Sequence, residues 1–445
     1  MKGFGKQYYS KNKKKSNPTK EQIIQQAIQF HAQGKISEAE KYYQFCINQG
    51  FKDHRVFFNY AAISKSLGKL QEAEIAYRKA IEIKPDYAEA HSNLGIILKN
   101  IGKLQEAEIA YRKAIEIKPD YANAFYNLGI ILKSLGKLQE AEIAYRKAIE
   151  IKPDYAKSYS NLGNALSDMG KLQEAEIAYR KAIEIKPDYA LAYWNLYGLA
   201  NTIEEAEDQL NQCLKIDENH LKARLTLSAI KLHQGDHSLF KSLMESSHKN
   251  HSFMRSFKWV SNLPKLPELF FHRWALFDSM TKKSIKDRPF YEFGVWRGES
   301  FKYLIKTFKK GFGFDTFEGL PENWHETKKG TYSAEGIIPK VNGGTFIRGK
   351  FEDTLPNFFS ESRPKASIIN IDADLYSSTL CALNYSKPVI DKDTILIFDE
   401  FIINKNWEMD EYKALNEFCS NNNLNYEVLA VSYFTKQVAV KIIGI

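Results

Sequence analysis

The chain is 445 residues long, too long for one ordinary core, so two or more domains are expected. Its 44% hydrophobic and 26% charged residues are those of a globular protein, and its four cysteines, Cys46, Cys213, Cys381 and Cys419, have no CxxC or zinc-ligand spacing, which excludes a disulfide framework and a zinc finger. The net charge of +9 does not imply a nucleic-acid partner, because seven lysines and no acid lie in the first 20 residues.

That lysine-rich stretch, residues 1–19, is expected to be a basic disordered tail. It has no apolar stretch of signal-peptide length, and no apolar run in the chain approaches the ~20 residues that span a bilayer. A soluble, cytoplasmic protein without a transmembrane segment is expected.

From residue 20 the pattern is helical and repetitive. The segment KLQEAEIAYRKAIEIKPDYA occurs four times unchanged, beginning at Lys69, Lys103, Lys137 and Lys171, a period of 34 residues. Ala, Ile, Tyr and Ala recur at helical spacing, Pro-Asp ends the helix, and a Gly-Lys turn such as Gly102-Lys103 precedes it, so each unit is predicted to be a helical hairpin. Weaker copies flank these four: GKISEAEKYYQFCINQG before and IEEAEDQLNQCLKIDENH after.

The pattern resembles the tetratricopeptide repeat family over residues 20–235, in six or seven units. The resemblance implies an α-solenoid with a groove for a protein or peptide partner, lined by the first helix of each unit, where the copies differ. Ser92, Lys99, Asn123, Tyr126, Lys133, Lys157, Ser160, Asn164 and Trp194 are the candidate groove residues. Only fragments of the family's carboxylate clamp occur, so a chaperone-tail receptor is not expected. A spacer or an oligomerisation surface is the alternative.

Residues 236–262 read as a helical linker, and residues 263–445 as a second domain. A helix-like ELFFHRWALFDSMTKK is followed by the apolar strands PFYEFGV, GFGFD, TFIRG, SIINID and TILIFD, with helical patterns between most of them, and then by YEVLAVSYF and QVAVKII. Continuous apolar strands alternating with helices predict a doubly wound parallel α/β sheet, and the last two strands predict an antiparallel hairpin at its end. Ligands of such sheets sit at the carboxyl ends of the strands.

Two strands end on acids: SIINI runs into Asp372, and TILIF into Asp399 and Glu400, 27 residues after Asp372. That separation suffices for a right-handed crossover to a neighbouring strand. Carboxylates so clustered repel one another unless they are protonated or bind a cation, and Mg²⁺ is the economical occupant of an all-oxygen site. Asp372 is expected to bind metal, and one of Asp372 and Asp374 to cap the helix that follows. In EFGVWRGES, Gly294 and Gly298 permit close ligand approach, and Asp315 ends the next strand 21 residues after Gly294, where an acid binds ribose hydroxyls. Trp296 stands where a middle glycine would admit a phosphate, so the pocket suits an adenosine ligand without pyrophosphate.

EFGVWRGES, GFDTFEGLP, GKFEDTLP, IDADLYSST and FDEF, in that order, resemble the macrocin O-methyltransferase (TylF-type) family over about residues 265 to 443. The resemblance implies a class I methyltransferase-like fold, S-adenosylmethionine as donor, Mg²⁺ as cofactor and a sugar hydroxyl as acceptor. By motif, Glu292, Gly294 and Gly298 border the donor, Asp315 takes its ribose, and Phe351 to Asp353 lie near adenine. Asp372, Asp399 and Glu400 fall on the metal positions, with Asp372 also the proton acceptor. The family's two aspartates and tyrosine are replaced here by Asp399, Glu400 and Phe401.

The loop LPENWHETKKGTY is expected to be a lid, with Trp324 and Tyr332 stacking on a sugar and His325 exposed. Two further readings stay open: a repeat-borne binding module without turnover, and a glycosyltransferase prompted by the D-A-D of residues 372–374.

Overall fold

The computed structural model describes residues 18–444; the basic tail expected at residues 1–19 falls, but for its last two residues, outside them. By backbone proximity the chain divides into one unit ending at Ile131 and a second from Leu132 onward.

The first unit is a stack of helical hairpins. Lys20–Ala32 pairs with Ile36–Asn48, His54–Ser66 with Leu70–Ile83, and Ala88–Asn100 with Leu104–Ile117. Thr19 opens the array with a capping box, its hydroxyl accepting from Gln22 N while the Gln22 side chain accepts from Thr19 N. In each identical helix the alanines and the tyrosine are buried, as Ala73, Ala76, Tyr77 and Ala80 show. The isoleucine between them faces solvent instead, with Ile75 70% exposed. Gly95 is needed for close packing, because a Cβ there would lie 2.7 Å from the Tyr111 ring of the paired helix. The KPDY turns are fastened by a lysine over a tyrosine ring, Lys84 on Tyr87 and Lys118 on Tyr121, each 5.2 Å from the centroid.

The second unit begins with further hairpins, Leu138–Ile151, Ala156–Asp168, Leu172–Ile185, Ala190–Tyr197, Ile203–Ile216 and Leu221–His233. Ala190–Tyr197 stops after eight residues, five short of Ala156–Asp168, and Gly198 beyond it packs against the Phe434 ring. Residues 236–262 form the helices Ser238–Glu245 and Ser252–Ser261 joined by a 3-10 turn. Phe253, Met254, Phe257 and Val260 are buried in the same core as the sheet residues Phe398 and Val431, so this segment is packed wall rather than loose tether.

Among the described residues the sheet has eight strands: β1 Glu268–Phe270, β2 Phe290–Phe293, β3 Gly311–Asp315, β4 Gly344–Arg348, β5 Ile368–Ile371, β6 Ile395–Phe398, β7 Asn425–Ser432 and β8 Val438–Ile443. Their order is β1-β7-β8-β6-β5-β2-β3-β4, and β8 alone runs against its neighbours. The α/β expectation holds, with two differences. Glu268–Phe270, read as the start of a helix, is an edge strand beside β7, and the helix begins at Arg273. The β7–β8 hairpin folds inward, placing β8 between β6 and β7. Strands β2, β5 and β6 are buried throughout, which is why they read as unbroken apolar runs.

His272 caps the helix Arg273–Lys283, its Nδ1 accepting from Ala275 N at 3.1 Å. It is buried, and that burial lowers its pKa to about 4. Since the folded value lies below the unfolded one, the contribution is fully present above pH 6.5 and is lost as pH falls toward 4. The loss amounts to about 3 kcal/mol. His272→Asn keeps a capping oxygen but cannot titrate, so its melting temperature is expected to fall less than the wild type's between pH 7 and 4.5.

Candidate active site

The parallel strands read β4-β3-β2-β5-β6, so the chain reverses direction across the sheet between β2 and β5. A doubly wound sheet opens a crevice at such a switch point, beyond the carboxyl ends of its strands. The crevice is present as a cavity of about 230 Å³, into which the segments after β2, β3, β5 and β6 all project.

Gly294 follows β2 with φ +88°, and a Cβ there would overlap the Asp372 carbonyl oxygen beyond β5. The turn after it is organised by Asp315 at the end of β3. One Asp315 oxygen accepts from Val295 N and Trp296 N, both at 2.7 Å, and the other from Phe317 N at 2.6 Å. Such a carboxylate holds two loops in place while presenting its remaining lone pairs to the cleft.

The acids meet as the sequence implies. β5 and β6 are neighbours pairing Ile371 with Phe398, so Asp372 and Asp399 leave the sheet side by side. Burial first, then the Asp399 and Asp374 charges, raise the Asp372 pKa well above the usual carboxylate range. Burial and Glu400 push Asp374 up to about 8. Buried Glu411, whose carboxylate accepts from Glu400 N, is likewise raised, by burial and by Asp374. Arg273 supplies the counter-charge, its guanidinium 3.1 Å from the Asp399 carboxylate.

Of the sequence-derived site residues, Gly294, Asp315, Phe351, Asp372, Asp399 and Glu400 line this cleft. Glu292, Gly298 and Asp353 do not. Glu292 is buried within β2, where Oε1 accepts from Asn370, Oε2 has no partner, and burial raises its pKa. Gly298 precedes the helix Glu299–Phe308 as its cap, and Asp353 is exposed in the first turn of Phe351–Phe358, leaving the cleft wall to Lys350, Phe351 and Glu352. Asp374 is not a helix cap: the helix Tyr376–Ser386 is capped by Leu375 with no side-chain bond, and Asp374, with φ +57°, lines the cleft. Glu400 is turned toward Lys436, 3.0 Å away, and Asn404. Among the described residues no three His, Cys, Asp or Glu side chains are grouped as a metal cluster.

Sequence reasoning missed Arg273 and Glu411, which reach the acids from distant segments; Tyr332, expected on the lid, lines the cleft. Tyr332 packs edge-on against Trp296, and burial with the nearby acids pushes its pKa up to about 12. His325 has a partner, Asp410 Oδ2 at 2.8 Å, while Trp324 lies beside it with its indole N–H buried and unpaired.

Repeat turns reach this site. Arg297 Nε donates to Leu135 O at 2.6 Å, Trp296 covers Gly136, and Glu335 lies between Lys137 and Arg297. Trp274 Nε1 donates to Ser167 O at 2.7 Å. Arg297→Ala is expected to cost about 1 kcal/mol in thermal unfolding and to speed amide exchange at residues 295–298.

Among the candidate groove positions, Ser92 and Ser160 are buried, Asn164 accepts from the Tyr179 hydroxyl, and Trp194 packs on His220 and Phe434. Lys133 pairs with Asp168 at 2.7 Å. Residues 86–154 and 120–188 match a tetratricopeptide repeat family model, and residues 63–102 match a second. These segments are tetratricopeptide repeats. Such arrays are interaction scaffolds. The matched segments end at residue 188.

Among solved structures, that of MamA is 26% identical, covers 37% of this chain and 96% of its own, and has a TM-score of 0.35. YrrB, described as a TPR protein with an unusual peptide-binding site, is 23% identical over 43% of this chain and 97% of its own, with a TM-score of 0.36. The pilF protein of Pseudomonas aeruginosa is 17% identical over 45% and 93%, with a TM-score of 0.40. No curated protein matches the chain. No helix among the described residues is long and apolar enough to cross a membrane.

Proposed function

We propose that the α/β domain is an S-adenosylmethionine-dependent O-methyltransferase acting on a sugar hydroxyl with Mg²⁺, and that the tetratricopeptide repeats recruit a protein or peptide partner or the substrate. The observation that carries this reading is the composition of the switch-point cleft. Its wall holds six carboxylates, Asp315, Glu352, Asp372, Asp374, Asp399 and Glu400, against the two cations Arg273 and Lys350. An acidic wall attracts a sulfonium. Phe351 offers an apolar surface for adenine, and Asp315 an acceptor for ribose hydroxyls.

S-adenosylmethionine would supply an electrophilic methyl group for in-line displacement, so the cleft's task is alignment. Mg²⁺ would supply Lewis acidity toward the acceptor oxygen. Asp372 and Asp399, side by side beyond β5 and β6, would supply two carboxylates to a hard cation, while the Glu400 carboxylate, expected as a third ligand, is engaged by Lys436. An Asp372 oxygen would accept the proton of the acceptor hydroxyl.

Transfer of a labelled methyl group from S-adenosylmethionine to a panel of sugars tests this reading. Asp372→Asn is expected to lower the rate about 100-fold with donor affinity nearly unchanged. A wild-type protein that binds donor and methylates nothing would favour the alternative of a binding module, to which the Glu400–Lys436 pair lends support.

A further inference from the structure

We propose that a second cleft, between the last repeats and the sheet, binds the charged part of an anionic sugar, one carrying a phosphate or a carboxylate. Calling that sugar the acceptor rests on the methyl-transfer reading; the cleft itself does not.

The cavity is about 760 Å³, room for a ligand of disaccharide size. Lys222, Arg255, Lys405 and Lys436 line it, and among the described residues no carboxylate does. Its sign is therefore the reverse of the methyl-donor cleft. Arg255 is neutralised by Glu408, which accepts from Nε at 2.6 Å and from Nη2 at 3.1 Å, and Lys436 by Glu400. Lys405 has only a 3.7 Å pairing with Glu326, both side chains being exposed, and among the described residues no carboxylate pairs with Lys222. Two cations thus stand largely unneutralised at the rim, a field that draws an anion in and orients it.

The rest of the wall suits a carbohydrate. Trp194 and Phe434, with ring centroids 5.9 Å apart, give an aromatic surface for a sugar face, and Asn250, Asn404 and Asn406 supply donors and acceptors for hydroxyls. The two clefts share a partition. Glu400 lines the first, and it is held by Lys436 and by Asn404, which line the second.

The test is binding by the full chain, read by saturation-transfer NMR and calorimetry, with glucose 6-phosphate, glucuronate, glucose and inorganic phosphate as probes. At least one anionic sugar is expected to bind tenfold or more tighter than both glucose and inorganic phosphate, and which one does so decides between phosphate and carboxylate. Its affinity is expected to fall with added salt, and to fall at least tenfold in Lys222→Glu combined with Lys405→Glu, two exposed positions whose reversal leaves the melting temperature in place. Equal binding of glucose, equal binding of inorganic phosphate, or indifference to the charge reversal would overturn the proposal. None of these probes involves the methyl donor. Loss of donor binding with sugar binding intact would therefore remove methyl transfer and leave this cleft standing, and the opposite pattern would do the reverse.

Discussion

Gly294→Ala is expected to destabilise the α/β domain by roughly 4 kcal/mol, near the upper end for a single substitution. Two physical causes act together. At φ +88° a side chain is strained, and the added Cβ would overlap the Asp372 carbonyl oxygen, a backbone atom fixed by its own strand. Asp372 N donates to Phe293 O at 2.8 Å, so moving that carbonyl away would break the β2–β5 pairing beneath the cleft. Thermal unfolding should show a fall on the order of 10 °C. Gly298→Ala is the control: φ is +78°, but the new Cβ would meet side chains rather than backbone, the Pro339 ring at 3.1 Å and Val295 at 3.7 Å, and a cost of about 1 kcal/mol is expected. Equal effects at the two positions would contradict the close approach of β2 and β5 as the reason for Gly294.

Asp315→Ala is expected to cost about 3 kcal/mol, because it strips acceptors from three backbone amides at once. Hydrogen exchange should speed up at Val295, Trp296 and Phe317, the three donors to its carboxylate. Asp315→Asn should fall between, since its amide group cannot accept where one oxygen did. One consequence concerns ligand work. Loss of donor binding in Asp315→Ala reports a disordered turn as readily as a missing ribose contact. Ser378→Leu, which narrows the cleft from the helix Tyr376–Ser386 and removes none of the Asp315 hydrogen bonds, separates the two. Weakened donor binding there, without faster exchange at residues 295–298, identifies occupancy of the cleft itself.

The repeats were legible because four identical 20-residue segments at one period leave little choice of register. Strands β2, β5 and β6 were legible because burial on both faces makes them apolar throughout. Asp372 and Asp399 were placed correctly on neighbouring strands because the crossover length fixed that adjacency. β1 was not legible: three residues merge without a break into the apolar pattern of the helix after them. Asp374 read as a cap because serines and a threonine follow it, yet its left-handed backbone turns the chain before the helix begins. Glu400 illustrates another limit. It lines the cleft, but the lysine that engages it lies 36 residues further on, and no local pattern marks a pair at that distance. The contact of Arg297 with Leu135, 162 residues apart, is beyond local pattern for the same reason.

The most direct test of the central claim is calorimetric titration of the full chain with S-adenosylmethionine, with and without Mg²⁺. Saturable binding at one site per chain, weakened by Ser378→Leu, is the predicted result. No binding under either condition, from protein whose thermal unfolding shows it folded, would contradict the methyltransferase reading of the switch-point cleft.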